Sequence, residues 1–189
     1  LGASVGAISL VLAVVIWKTN QSSAVRGLVV AAVFLVVLQG VLGGLRVLLD
    51  DKTVAKVHAC TGPLFFSVAV AIATLTSRRF QNRQAFFENA VSGMPLGGWI
   101  ASGLLFASYI QLVAGAQLRH LDAAVGPSTF RWLVLFHLVG AATVAALSLA
   151  SVCESFGLLV AGSARDGSRR FLSSAILLLV CSQVLLGFG

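Results

Sequence analysis

Charge is scarce in this sequence. Of 189 residues, six are Asp or Glu and thirteen are Lys or Arg, so 10% are charged against 58% hydrophobic. A soluble domain carries about a quarter charged residues. So few charges cannot cover a water-facing surface, which excludes an ordinary soluble enzyme. Cysteine is also rare: Cys60, Cys153 and Cys181 form no C-x-x-C, which leaves no zinc-ribbon, thioredoxin-like or c-type haem attachment motif. Each lies in or beside an apolar run and reads as a small packing residue. Phosphate-loop, zincin and nucleophile-elbow motifs are absent. No pair of carboxylates falls within the apolar runs, so acid–base chemistry there has no carboxylate to use. The net charge of +7 does not point to nucleic acid, because the basic residues sit between apolar runs, where they set topology.

What remains is a chain of long apolar runs with a mean hydropathy of +0.99. The runs are continuous rather than alternating, so the expected fold class is all-α, a polytopic membrane protein. Six transmembrane helices are expected, over 1–17, 24–47, 53–77, 97–119, 132–153 and 171–189. The connections holding Lys18 and Arg26, then Arg78, Arg79 and Arg83, then Arg165, Arg169 and Arg170 carry eight of the thirteen basic residues. By the positive-inside rule they face the cytoplasm or its organellar equivalent. The opposite side has Arg46, Lys52, Lys56, Arg119 and Arg131 beside Asp50, Asp51 and Asp122. Trp17 and Trp99 would then mark the inner interface and Trp132 the outer one. The longest connection, 81–96, divides residues 1–80 from 97–189, three helices on each side. No charged segment precedes the first apolar run, so no signal peptide is read. The start reads as a cut.

A repeat lies within these runs. "QGVLG" begins at Gln39, "QLVAG" at Gln111 and "QVLLG" at Gln183, each 72 residues from the last. The first two lead to an arginine, Arg46 or Arg119, then to a helix with a histidine, His58 or His137, in its first turns. Each histidine is expected about four residues in from the outer helix end, at equal depth. A histidine in hydrocarbon needs a partner, either an interhelical hydrogen bond or a metal. Two at equivalent places in a duplicated hairpin favour axial ligation of haem iron, where one ring nitrogen binds and the other orients the ring. Arg46 and Arg119 suit haem propionates or serve as snorkelling anchors. Gln39, Gln111 and Gln183 suit interhelical hydrogen bonds, with contact to a cofactor or a ligand histidine as the functional reading. Gly40 and Gly44, with Ala114, Gly115 and Ala116, make smooth faces that fit either close helices or a flat porphyrin. Pro63 is expected to bend its helix. His120, Asp50, Asp51 and Asp122 read as solvated, and Glu154 and Asp166 as lying at the inner ends, away from the histidines.

The stretches "LQGVLGGLRVLL" and "VHACTGPLFF" (38–66), "SYIQLVAGAQLRH" (108–120), "FHLVGAA" (136–142) and "CSQVLLG" (181–187) together resemble the haem A synthase family. The resemblance implies eight transmembrane helices in two pseudo-symmetric four-helix bundles, of which this sequence reads as the central six. It implies a bound haem b, haem O as substrate, and oxidation of a haem O methyl group to the formyl group of haem A for terminal oxidase assembly. His58 would be an iron ligand of the first bundle and His137 of the second, with their partner histidines outside residues 1–189. The family's glutamate near the first histidine and its paired loop cysteines have no counterpart here, so no catalytic residue is assigned. The partners implied are an electron donor and the enzyme that makes haem O, besides the lipid bilayer; self-association is a further option. No transit segment is visible, which favours a bacterial plasma membrane over a mitochondrial inner one. Two other readings fit the residues: a b-type cytochrome in which His58 and His137 share one haem, and a membrane scaffold whose histidines serve packing.

Overall fold

In the computed structural model, residues 2–19, 22–78, 80, 95–122, 124–159 and 167–187 are described. Most of the expected 81–96 linker lies outside them. The described residues form an all-α polytopic membrane fold. Its helices are α1 (Gly2–Lys18), α2 (Ser23–Leu49), α3 (Lys52–Leu75), α4 (Leu96–Arg119), α5 (Pro127–Ser155) and α6 (Gly167–Gly187). Five of them, α2 to α6, are long and apolar enough to cross a membrane. Helix α1 is apolar but has 17 residues, roughly 25 Å of rise, so it is shorter than the other five.

Two starts differ from expectation. Helix α5 begins at Pro127 rather than at 132, and α6 at Gly167 rather than at 171. Hydropathy marks where the chain enters hydrocarbon, not where its backbone becomes helical. Pro127 is pre-set for the first helical turn and Gly126 precedes it in an extended conformation, so the helix starts among Ser128, Thr129 and Arg131. This changes the depth of the histidines measured from their own helix starts. His58 lies six residues after Lys52 and His137 ten after Pro127, about 9 and 15 Å along the axis. The expected equal depth does not hold on that measure.

The chain divides into two compact units, Leu1–Val91 and Ser92–Gly189. In the first, α2 packs against both α1 and α3. Its core joins Ile16 of α1, Val25, Val29 and Ala32 of α2 and Ile72 of α3, with Phe65 and Val68 beside them. Two residues connect α2 to α3. Asp50 takes the left-handed conformation, φ 47°, and Asp51 caps α3 by accepting hydrogen bonds from the backbone N–H groups of Thr53 (2.6 Å) and Val54 (2.9 Å). Pro63 lies inside α3 without interrupting it. In the second unit, α5 packs against α4 and α6. Helix α5 ends in a Schellman turn: Gly157 has φ 75°, and Leu158 N–H donates to Cys153 O at 2.9 Å.

The distribution of polarity is that of a protein dissolved in lipid. Val47, Leu48, Phe66, Phe106, Phe171 and Leu185 are all exposed, while Ser148, Ser155, Ser173 and Glu154 are buried. Small and polar groups face neighbouring helices because lipid already solvates the apolar side chains.

Candidate functional site

Within the first unit, the site forms where α3 crosses the Arg46 end of α2. The His58 ring lies against Gly43: a Cβ there would sit 3.4 Å from Cε1 and 3.9 Å from Nδ1. Gly40 and Gly44, which the sequence singles out as the smooth face, have open space beside them. The glycine that seats the ring is the one a single helical turn after Gln39. Gln39 in turn lies over Gly62, one turn after the histidine, with its Oε1 3.8 Å from the Cβ position. Gln39 Nε2 donates to His58 O at 3.1 Å and to Thr61 Oγ1. Thr61 is able to accept because its own hydroxyl hydrogen goes to Val57 O, 2.9 Å away.

The second unit repeats the device with one change. The His137 ring lies against Gly115, a turn after Gln111, and a Cβ there would sit 3.2 Å from Cε1. Gln111 lies against Gly140, with its Oε1 where a side chain at 140 would begin. Its amide nitrogen meets the ring itself, 3.2 Å from His137 Nε2. So Gln39 holds the backbone and a hydroxyl of its histidine helix, whereas Gln111 holds the imidazole.

Both imidazoles share a defect. His58 Nδ1 and His137 Nδ1 are buried with no hydrogen-bond partner, as is Gln111 Oε1. An unpaired buried polar group costs about 1–3 kcal/mol. Native structures hold few such groups, and each calls for an explanation. Finding the same orphan twice, at equivalent places, argues for a use rather than an accident.

Arg46 and Arg119 are exposed in the last turns of α2 and α4. They follow Gly43 by three residues and Gly115 by four, so each arginine begins about 4.5 or 6 Å further along the helix than the glycine under the ring. Gly43 is six residues from Leu49 and Gly115 four from Arg119. Gln183 is exposed on α6, four residues before Gly187; no histidine helix of the described chain packs on it. His120 follows α4 as its capping residue, and Cys60, Cys153 and Cys181 are not joined in disulfides.

Among the described residues no three His, Cys, Asp or Glu side chains gather. Each unit offers one imidazole near the end of a helical hairpin, a glycine that lets the ring approach its neighbour, and an arginine one turn beyond.

A second polar cluster, missed in the sequence reading, lies about 25 Å along α5 from His137. Glu154 is buried and accepts from Arg169 Nη2 at 2.7 Å. Gly97 of α4 faces the pair: a Cβ there would fall 2.8 Å from the Glu154 oxygens. Ser155 and Ser173 share a buried hydrogen bond of 2.8 Å, and Arg170 stacks 5.0 Å over the Phe156 ring. Glu154 closes an apolar run, so hydropathy placed it only at the inner helix end, away from the histidines. Its partner is 15 residues away across a connection, where periodicity carries no signal.

No protein-family model, curated protein or solved structure matches this chain. The likeness to the haem A synthases therefore rests on the quoted motifs alone.

Proposed function

We propose that the chain is the core of a haem-ligating membrane oxidoreductase of the haem A synthase kind, acting on haem O and holding haem b. The observation that carries this reading is the duplicated Gln–Gly–His–Gly arrangement, with one imidazole near the end of each hairpin. In it, His58 and His137 each supply one axial imidazole to a separate haem, in halves of a pseudo-symmetric eight-helix pair of bundles. Gly43 and Gly115 hold each ring at a fixed depth, and Arg46 and Arg119 pair with propionates one turn nearer the membrane edge. Bound haem would supply the redox chemistry; the chain's own residues orient it and keep water from its apolar face. The histidine ends of the hairpins would face the outside of a bacterial plasma membrane, with an electron donor and the enzyme that makes haem O as partners.

One observation favours a second reading, the scaffold. The bond between Gln111 and His137 is an interhelical hydrogen bond of the kind membrane helices use for packing. The two readings part in a reduced-minus-oxidised absorbance spectrum of detergent-purified protein supplied with haem. Sharp b-type bands, partly lost in His58→Ala and partly in His137→Ala, are expected for one haem per unit. Complete loss in either variant would favour a single shared haem, as in a b-type cytochrome. Absence of bands in the unmodified protein would leave the scaffold.

A further inference from the structure

The two units differ at the third residue after the histidine, which is Thr61 in one and Gly140 in the other. We infer that this position decides whether the glutamine grips the imidazole, so that the His58 ring is open to a ligand and the His137 ring is latched. The inference takes the identity of that ligand, haem iron, from the function proposed above; the state of the rings stands apart from it.

In the first unit the Thr61 hydroxyl donates to Val57 O and turns a lone pair toward α2. That lone pair captures Gln39 Nε2, whose other hydrogen goes to His58 O. Both amide hydrogens are then used on groups other than the ring. In the second unit position 140 has no side chain to receive the amide. The Gln111 carbonyl instead sinks against the Gly140 backbone, where a Cβ would collide with it, and this turns the amide nitrogen onto His137 Nε2. The same glutamine thus has two postures, selected by one residue on the facing helix. Thr61 and Gly140 are positioning residues: neither touches a ligand of the ring. Any ligand of His137 Nε2 would first have to displace Gln111 from it. The first unit faces no such competition.

Site-resolved acylation of the histidines by diethyl pyrocarbonate, read by mass spectrometry with His120 as internal reference, tests this on the full chain in detergent. A hydrogen bond of about 1 kcal/mol corresponds to roughly a fivefold rate difference, so His58 is expected to react about five times faster than His137. Gly140→Ala, whose new Cβ displaces the Gln111 carbonyl, should bring His137 up to the rate of His58. Gln111→Leu removes the latch without touching α5 and should do the same. Thr61→Val, which keeps the shape and loses the hydroxyl, should slow His58, and Thr61→Ser should restore it. A mere packing role for Thr61 would not distinguish serine from valine in that order. Equal rates for His58 and His137 in the unmodified protein, or no response of His137 to both Gly140→Ala and Gln111→Leu, would overturn the inference. A parallel haem titration separates it from the functional reading. Rates as expected without b-type bands would remove haem and leave the assignment of open and latched rings standing. With bands, the first unit should fill at the lower haem concentration.

Discussion

At the scale of single residues, a few tenths of an ångström divide the two histidine seats. A methyl group on Gly43 would meet the His58 ring at 3.4 Å, an ordinary contact, while one on Gly115 would meet His137 at 3.2 Å, closer than carbon atoms settle. Replacing a helical glycine by alanine otherwise stabilises by about 0.5–1 kcal/mol. Gly43→Ala is therefore expected to hold or slightly raise the thermal unfolding midpoint in detergent, and Gly115→Ala to gain nothing or lower it. A capping residue gives a second test. Asp51 precedes the candidate span Lys52–Leu75 and is exposed, and hydrogen bonds from the Val54 and Thr53 N–H groups hold its pKa below the ordinary 3.8. A carboxylate depressed in the folded state stabilises fully above its unfolded pKa, and the contribution fades as pH falls through the lower folded value. Asp51→Ala should therefore cost stability at pH 6 and much less at pH 2–3, measured by thermal melts at both. Much of the candidate site was legible at this scale. His58, His137 and the glutamines announced themselves as polar groups in apolar runs. Gly43 did not, because a glycine's role depends on which turn of the next helix crosses it, and "GVLGGL" offers three candidates.

For the helices, the ends are less legible than the middles. Apolar runs placed every described helix, since hydrocarbon demands internally bonded backbone, but the start of α5 depended on Pro127 and Gly126 rather than on hydropathy. Its other end rests on Gly157 at φ 75°. Gly157→Ala keeps the chain there at a strain of about 1 kcal/mol, which should appear as a lower unfolding midpoint with the histidine chemistry untouched. Close by, α4, α5 and α6 meet at Gly97, Glu154 and Arg169. Arg169 is partly exposed, and its removal leaves the buried Glu154 carboxylate without that guanidinium. Truncating one member of a buried pair costs about 3–5 kcal/mol, discounted here to about half because one side chain reaches solvent. Arg169→Met is thus expected to destabilise more than Glu154→Gln, which removes the charge along with its partner's target. Equal losses in denaturant titrations would argue against a buried ionised carboxylate.

Across the whole molecule, the repeat matters more than any one motif. Three Q-x-x-x-G segments recur at 72 residues, and the two that meet a histidine helix in the described chain build nearly the same contacts from different neighbouring residues. The positions of the glutamines and histidines were readable because the period survives in them. The divergence at Thr61 and Gly140 was not, since it acts only through the posture of a side chain on another helix. Charge distribution gives the expectation at this scale: engineered cysteines at Thr19 and Ser77 should label from the opposite side to one at Asp122 when an impermeant thiol reagent is applied to intact cells.

The two-residue connection between α2 and α3 also constrains how the protein is made. Helices of 27 and 24 residues separated by Asp50 and Asp51 leave no slack for the first to settle in a bilayer while the second waits. At about 5–20 residues per second, synthesis delivers α3 roughly 1–5 s after α2. Once both helices are made, so short a turn allows them to lie only as an antiparallel hairpin. The contact between Gly43 and His58 is therefore local to one hairpin and needs nothing from the second unit to form.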